Sequence, residues 1–232
     1  MAGIGVGAQD RSGTATSGQA RARETSLLTV LGAPIRDRNA ERREAARAEI
    51  LDAAWALAAE HGIARITLRE IARRIGMRAP SLYTHFDSKK GIYNAMFAQA
   101  WGDFLRIVEA AEPPAHLRAA VRYVAHMWFD FATADLARHQ LMNQRTIPGF
   151  EPTPEAYAPA VAVLARFRAL LAEHGVTGEE DVDLCTAVLS GLADAQLAND
   201  PGGDRWGRLV DRTADMLSDN LGLATGAEQE RP

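Results

Sequence analysis

Side chains that could support catalysis or bind a metal are scarce, and the candidates lie mainly in the C-terminal part of this 232-residue chain. His126 and Asp130 are four residues apart, so on a helix they would share one face and could coordinate a metal ion together. The same part of the chain contains His116, His139 and His174. It contains no HExxH motif, no cluster of cysteine and histidine, and no glycine-rich phosphate loop. We therefore predict no metal, no cofactor and no catalytic residues. A helical metal-dependent enzyme using these His and Asp residues is the weaker alternative.

A stronger pattern lies between residues 67 and 100. Four apolar residues recur at helical spacing and predict one buried face: Leu68, Ile71, Ala72 and Ile75. Thr67, with Glu70 three residues later, matches a capping box at the start of that helix, and Gly76 is expected to end it. A second short helix follows, with Pro80 in its first turn and Leu82 facing inward. Two short helices joined by a glycine turn predict a helix-turn-helix, whose second helix can enter the DNA major groove.

The composition predicts an all-helical protein. Apolar residues make up 47% of the chain, yet runs of strand-forming residues are scarce. Cys185 is the only cysteine, so an intrachain disulfide is impossible and a reducing compartment fits the sequence. No apolar run reaches the roughly 18 residues of a membrane span, and the cluster from Leu27 to Leu31 is too short for a signal-peptide core. We therefore expect a cytoplasmic protein without a membrane partner.

The charge is distributed unevenly along the chain. The first 90 residues contain 15 Lys and Arg against 10 Asp and Glu, a net charge of +5. The remaining residues contain 11 against 20, a net charge of −9. This asymmetry indicates that only the N-terminal part approaches a polyanion, which supports a helix-turn-helix without establishing one.

Helical spacing, capping residues, glycines and prolines predict the remaining helices. They are expected at Glu44 to His61, from Ser88 to the Pro113-Pro114 pair, around Leu117 to Phe131, and at Leu136 to Arg145, Glu155 to Gly175, Asp181 to Asn199 and Arg205 to Leu221. The helix from Ser88 would begin beside the helix-turn-helix and end inside the C-terminal part, which makes it a mechanical link.

We predict four segments. They are a disordered N-terminal extension (1–40), a three-helix helix-turn-helix domain (41–93), a larger helical ligand-binding and dimerisation domain (94–222), and a flexible tail (223–232). Arginines between Arg21 and Arg47 could reach phosphates or the minor groove, or could lie on a solvated tail. We favour the solvated tail for residues 1–35 and leave the role of Arg36 to Arg47 open.

Residues 69–97 resemble the TetR family of bacterial transcriptional regulators. The resemblance is carried by IARRIGMRAPSLYTHFDSKKGIYNAMF, in which a turn containing glycine precedes a helix with the LY..F pattern, then a polar capping residue and lysine. The specific match covers about residues 44–101, and the later helices agree in number and length. The resemblance implies double-stranded DNA as partner, bound as a homodimer to a palindromic operator.

The resemblance also implies which residues contact DNA. They are Thr67, Arg78, Ala79, Pro80, Ser81, Tyr83, Thr84, His85 and Lys89. Arg78 could pair with guanine or contact a phosphate, and many family members have a small hydroxyl residue there. Tyr83 and His85 match backbone-clamping positions, although Tyr83 could instead pack partly on the first helix and His85 could simply face solvent. Lys89 would bind a phosphate at the start of the long helix.

The family resemblance further implies an apolar ligand pocket in the C-terminal part. Candidate lining residues are Trp101, Phe104, His126, Met127, Trp128, Phe131, Met142, Phe150, Tyr157 and Phe167. Polar groups that could orient a ligand are His126, Asn143, Gln144 and Gln196. Taken singly, each of these residues is as well explained by core packing.

The last two helices are the candidates for a dimer interface. Their apolar stripes contain Val188, Leu189, Leu192, Trp206, Leu209, Val210, Thr213 and Leu217. The alternative is that these stripes serve only the protomer core. The function that follows is a ligand-released repressor. A ligand-independent regulator or an activator of the same fold is the alternative, and the sequence identifies neither the effector nor the operator.

Overall fold

The computed structural model describes residues 37–221, and this part of the chain is helical without a β-strand, as predicted. The predicted disordered extension, up to residue 36, and the predicted flexible tail lie outside the described residues. The chain divides into two compact units, residues 1–42 and 43–232. The described part of the first unit is only Asp37 and the beginning of the first helix, so everything below concerns the second unit unless stated.

The described residues form nine α-helices and two short 3₁₀ turns. The helices are α1 (Arg38–His61), α2 (Leu68–Arg74), α3 (Ala79–Leu82), α4 (Lys89–Ala110), α5 (Leu117–Thr133), α6 (Leu136–Asn143), α7 (Pro154–Ala172), α8 (Glu179–Asn199) and α9 (Val210–Asn220). The 3₁₀ turns are Ile63–Arg65, before α2, and Gly207–Leu209, before α9.

Helix α1 begins at Arg38, earlier than the predicted Glu44. The carboxylate of Asp37 explains the difference, because it accepts hydrogen bonds from the backbone N–H groups of Asn39 and Ala40 at 3.0 and 3.1 Å. These donors would otherwise be unpaired at the helix N-terminus. Residues 38–40, which the sequence assigned to the extension, are therefore the first residues of α1.

Helices α2 and α3 are joined by the predicted glycine turn. The Thr67 hydroxyl accepts a hydrogen bond from the Glu70 backbone N–H and donates one to the Glu70 carboxylate, at 3.2 and 2.6 Å. The capping box is thus closed through the two side chains, not through the Thr67 backbone N–H. Gly76 has a φ of +64°, the left-handed conformation expected at a helix end. Met77 N–H then donates to the Ala72 carbonyl at 2.8 Å, which completes the helix ending.

Two clusters of buried side chains stabilise the second unit, and α4 runs through both. The first cluster contains Ile50, Ile71, Leu82 and Phe97 with their neighbours, and the second contains Phe104, Trp128, Leu171 and Leu217 with theirs; Trp101 packs against both clusters. Helix α4 begins at the Ser88 cap, whose hydroxyl accepts from the Gly91 N–H, and it packs most extensively on α7.

The last helical segment begins in a 3₁₀ turn rather than at the predicted Arg205. The Gln196 side-chain oxygen accepts hydrogen bonds from the backbone N–H groups of Trp206 and Gly207, at 2.9 and 3.3 Å, and so holds the chain in a turn. This amide is committed to the loop between α8 and α9, and it is not among the cavity-lining residues described below. The prediction that Gln196 orients a ligand is therefore wrong.

Candidate nucleic-acid interface and ligand cavity

Helix α3 and the turns after it present a polar, solvent-exposed face. Of the predicted DNA-contact residues here, five are exposed: Arg78, Pro80, Ser81, Tyr83 and Thr84. Leu82 and Phe86, between and after them, are 0% and 4% exposed, which fixes this segment on the first core. Ala79 and His85 are half-buried. The exposed face therefore has a rigid base.

The exposed residues differ in how free their polar groups are. Tyr83, at 54% exposure, lies on the surface and is not packed on the first helix. The Thr84 hydroxyl donates to the Ser81 carbonyl at 2.7 Å, so its proton is already committed. Arg78 occupies the N-cap of α3 without a side-chain capping bond, and no ion pair involves it among the described residues. Arg78 is thus the cation on this face most available to a base or a phosphate.

Arg47 belongs to the scaffold of the exposed face. Its guanidinium lies over the Phe86 ring, 4.1 Å from the centroid, and Nη1 donates to the His85 carbonyl at 2.5 Å. These contacts tie α1 to the residues that follow α3. The His85 ring nitrogen Nδ1 is buried without a partner among the described residues, so His85 is not the plain solvent-facing residue of the alternative interpretation.

Lys89 is anchored to the protein beside the helix-turn-helix. Its Nζ donates to the Ala64 carbonyl at 3.3 Å and lies 5.2 Å from the centroid of the Tyr93 ring. Desolvation lowers the pKa of Lys89, and the nearby Glu70 opposes that shift. Tyr93 is itself fixed, because its hydroxyl donates to the Ile63 carbonyl at 2.9 Å. Lys89 and Tyr93 together hold the 63–65 turn against α4.

Several exposed basic residues near this face were missed by the sequence interpretation. Lys90, next to Lys89 in the first turn of α4, is exposed, as are Arg65, Arg69 and Arg73. Arg74 differs from them, because its guanidinium bonds the Glu60 carboxylate at 2.9 and 2.5 Å. The lysine pair at 89–90 was the available signal, since either lysine could face a phosphate. Thr67, a predicted contact, is exposed at the start of α2.

A cavity of about 560 Å³ lies in the second cluster, between α4, α5, α6, α7 and α8. Seven of the ten predicted ligand-contact residues line it: Trp101, Phe104, Met127, Trp128, Met142, Tyr157 and Phe167. Asn143 is the predicted polar group that also lines it. The sequence interpretation missed further lining residues, among them Tyr123, Leu164, Arg166, Thr186 and Ser190. The volume is typical of a pocket for a small organic ligand.

Three predicted ligand contacts lie away from the cavity. His126 is on another face of α5, where its Nε2 is 2.9 Å from an Asp211 carboxylate oxygen. Phe131 packs on Phe104 with centroids 4.8 Å apart, and on its other side lies the Arg138 guanidinium. Phe150 belongs to the first cluster and contacts Tyr93. Helical spacing alone could not distinguish these three from the true lining residues, because the cavity is bounded by helices distant in sequence.

His126 is part of a ladder of charged pairs between α5 and α9. Arg118 pairs with Asp219, Arg122 with Asp215, and His126 with Asp211, at 2.5, 2.5 and 2.9 Å. The partner of His126 is therefore Asp211, not the Asp130 that the sequence offered as a metal co-ligand. The described residues contain no group of three or more His, Cys, Asp or Glu that could hold a metal ion.

Gln144 is also committed elsewhere. Its side-chain N–H donates to the Asp194 carboxylate at 2.8 Å, and the same oxygen lies 2.7 Å from Nε2 of the buried His139. Asn143 contacts the other ring nitrogen of His139 at 3.3 Å. This polar network joins the end of α6 to α8, and Asn143 is its member at the cavity.

The predicted dimer residues divide by burial. Leu189, Val210 and Leu217 are 7%, 1% and 2% exposed within the protomer, so core packing accounts for them and little of their surface could face a partner. The other five are half-buried: Val188, Leu192, Trp206, Leu209 and Thr213. Two neighbours are more exposed, Leu184 at 41% and Met216 at 55%. An interface on these helices would be centred one helical face away from the predicted stripe.

No described helix is long and apolar enough to span a membrane.

Comparison with known proteins agrees with this arrangement. The sequence model described as bacterial regulatory proteins, tetR family, matches residues 50–96, which include α2, α3 and the start of α4. HTH-type transcriptional regulators of Mycobacterium bovis and Mycobacterium tuberculosis are 26% identical over 149 residues. That match covers 59% of this chain and 60% of the length of those relatives.

Solved structures extend the similarity to most of the chain. The TetR-family regulator PfmR of Thermus thermophilus has a TM-score of 0.56 at 25% identity, covering 72% of this chain and 96% of that one. The regulator FadR of Bacillus subtilis, solved with stearoyl-CoA, has a TM-score of 0.62 at 18% identity, covering 73% and 96%. At that identity the second likeness concerns the fold alone.

Proposed function

Because the chain belongs to the TetR family of bacterial regulatory proteins, we propose that it regulates transcription in the bacterial cytoplasm by binding double-stranded DNA. In its specific form the proposal is a repressor. It binds a palindromic operator as a homodimer and is released by a small, largely apolar ligand. The relatives are transcriptional regulators, which favours this function over a metal-dependent enzyme.

The exposed face of α3 carries the proposal. Arg78, Ser81 and Tyr83 stand clear of the protein while Leu82 between them is fully buried. A face of this kind can enter a major groove without rearranging its base. Lys90 and Thr67 flank it on either side in sequence and supply a cation and a hydroxyl for phosphates. We propose the division at residues 41–93 and 94–222 as the DNA-binding and effector-binding parts.

A homodimer would present two such faces to two half-sites. Its interface is proposed on α8 and α9, through Leu184, Val188 and Leu192 with Thr213 and Met216. These residues retain exposed surface, whereas the α5–α9 charged ladder and the buried leucines hold the two helices to the protomer. Two recognition helices in a two-fold dimer are typically about 34 Å apart, one turn of DNA.

The cavity is proposed to bind the effector. Helix α4 has Lys89 and Lys90 in its first turn and Trp101 and Phe104 in the cavity wall. Helix α6 packs near the 63–65 turn and carries Met142 and Asn143 at the cavity. A ligand that binds one arrangement of these helices more tightly than another would shift the recognition helices. The effect requires different affinities for the two arrangements.

Selection of bound sequences from a random double-stranded DNA pool tests the proposal. The expected product is an enriched palindrome bound by a dimer, with half-sites about one helical turn apart. Lys90→Ala should lower affinity for all sequences and reduce the salt dependence of binding, because it removes a phosphate contact. Arg208→Ala, an exposed arginine after α8, is the matched control. Failure to enrich any sequence, with the protein folded, would overturn the proposal.

A further inference from the structure

The polar groups in the cavity wall are unevenly divided between donors and acceptors. Trp101 and Trp128 both line the cavity, and the indole N–H of each is buried without a partner among the described residues. Trp128 is 8% exposed, so solvent has little access to its ring. An indole N–H can only donate. A buried donor without an acceptor is unfavourable, so these groups favour a ligand that supplies one.

The two indoles form one surface. Their ring centroids are 6.0 Å apart with an interplanar angle of 18°, which is a stacked arrangement. Phe104 meets Trp128 edge-on with centroids 5.2 Å apart. These aromatic walls favour an aromatic or otherwise flat apolar ligand body.

Charged groups are confined to the outer part of the lining. Arg166 and Glu173 are the only charged residues that line the described cavity, and both are exposed. The Arg166 side chain is 63% exposed and lies 3.7 Å from Glu109. The interior thus offers no buried cation to a ligand carboxylate and no buried anion to a ligand ammonium. A charged group carried inside would lose its hydration without compensation.

Other polar groups in the wall do not reverse this balance. The Thr186 hydroxyl donates to the Val182 carbonyl within α8 at 2.8 Å. The Asn143 amide N–H has only long contacts, 3.3 Å to His139 Nδ1 and 3.4 Å to the His139 carbonyl. It is therefore a third donor able to turn toward a better acceptor.

We propose that the effector is an uncharged, mainly apolar molecule with an aromatic or flat body and a carbonyl-type oxygen, which accepts a hydrogen bond from Trp101 or Trp128. This inference rests on the proposed function, in which the cavity binds an effector. The lining residues of α7 extend from Tyr157 to Leu170, about 20 Å of helix at 1.5 Å per residue. The cavity therefore has room for a body of two or more fused rings.

Three matched probes test the class of ligand by isothermal titration calorimetry. 2-Acetylnaphthalene carries a ketone, 2-ethylnaphthalene replaces it by an apolar group of similar shape, and 2-naphthoate replaces it by a carboxylate. We expect the ketone to bind about fivefold more tightly than the ethyl compound, the difference made by one neutral hydrogen bond. The carboxylate should bind at least about tenfold more weakly than the ketone, because its charge is not compensated.

Conservative variants locate the donor. Trp101→Phe and Trp128→Phe keep an aromatic ring and remove the N–H, so at least one of them should abolish the preference for the ketone over the ethyl compound. Trp55→Phe is the matched control, because the Trp55 indole already donates to Gln99 at 2.8 Å. Met127→Trp should block both probes by filling the cavity, which shows where they bind.

Two results would overturn the inference. One is equal or tighter binding of the ethyl compound or the carboxylate to the wild-type protein. The other is ketone binding that survives Met127→Trp, or a ketone preference unchanged in both Trp101→Phe and Trp128→Phe. DNA selection on the same preparations separates this inference from the proposed function. Operator binding without a ketone preference refutes the inference alone, and a ketone preference without operator binding refutes the regulator alone.

Discussion

The helix-turn-helix and the cavity treat their polar groups in opposite ways. Around the helix-turn-helix, Thr67 bonds Glu70, Tyr93 bonds the Ile63 carbonyl, and Arg47 bonds the His85 carbonyl. In the cavity wall, the Trp101 and Trp128 donors have no partner among the described residues. Polar groups satisfied internally give a surface of fixed shape, whereas unsatisfied groups beside a void are prepared for a ligand. The first region is built to read, and the second to bind and respond.

The largest expected effect is on the base of the exposed α3 face. Leu82→Ala removes a fully buried side chain and leaves a void in the first cluster. It should lower the free energy of unfolding by about 2–5 kcal/mol, measured by urea denaturation. Tyr83→Ala, at the adjacent exposed position, is the control and should change it by at most about 0.5 kcal/mol. A similar loss in both variants would mean that α3 is not fixed through Leu82.

A smaller effect is expected at the Tyr93–Ile63 hydrogen bond. Tyr93→Phe leaves the buried Ile63 carbonyl without its partner and should destabilise the fold by about 1–3 kcal/mol. Tyr123→Phe, at the half-exposed tyrosine of α5, is the control. Equal stability of wild type and Tyr93→Phe in urea denaturation would show that this bond does not hold the 63–65 turn.

The two regions should also differ in alkaline titration. Burial raises the pKa of Tyr93 from 10.0 to about 12, and that of Cys185 in the second cluster from 9.0 to about 11. Both groups are neutral in the folded state below those values, so each contribution is present below the unfolded pKa. It is lost as pH rises from about 10 to 12 for Tyr93 and from 9 to 11 for Cys185.

Denaturation midpoints measured across this range separate the two groups. Cys185→Ala should flatten the loss of stability at the lower pH window, and Tyr93→Phe should flatten it at the higher one. If neither variant changes the pH dependence, the two groups titrate alike in the folded and unfolded chains, which contradicts their burial.

The smallest effect is expected in the α5–α9 ladder. His126→Ala removes an exposed pair with Asp211 and should change the free energy of unfolding by about 1 kcal/mol or less. It should leave affinity for 2-acetylnaphthalene unchanged, because His126 does not line the cavity. His174→Ala, after α7, is the control for loss of an exposed histidine. A marked loss of ligand affinity in His126→Ala alone would restore His126 as a ligand contact.

Local patterns predicted the elements well, because their causes lie within a few residues. Thr67 and Glu70, Gly76, and Ser88 set helix boundaries through neighbours three to five positions away. The long-range outcomes were not predictable in this way. Lys89 meets Ala64, 25 residues away, and His126 meets Asp211, 85 residues away. Which side of an apolar stripe faces the core depends on such partners, so Leu189 and Leu217 were assigned to a dimer interface although they are buried.

The central claim, that the exposed face of α3 reads DNA, is tested most directly by the affinity of Arg78→Ala for the selected DNA. The Arg78 side chain has no capping bond and no ion pair among the described residues, so its removal should leave the fold unchanged. We expect a loss of about 1–3 kcal/mol in binding free energy, with relaxed preference at one base pair of each half-site. Arg168→Ala on α7 should bind as the wild type does. Unchanged affinity and sequence preference in Arg78→Ala, with the same stability, would contradict the claim.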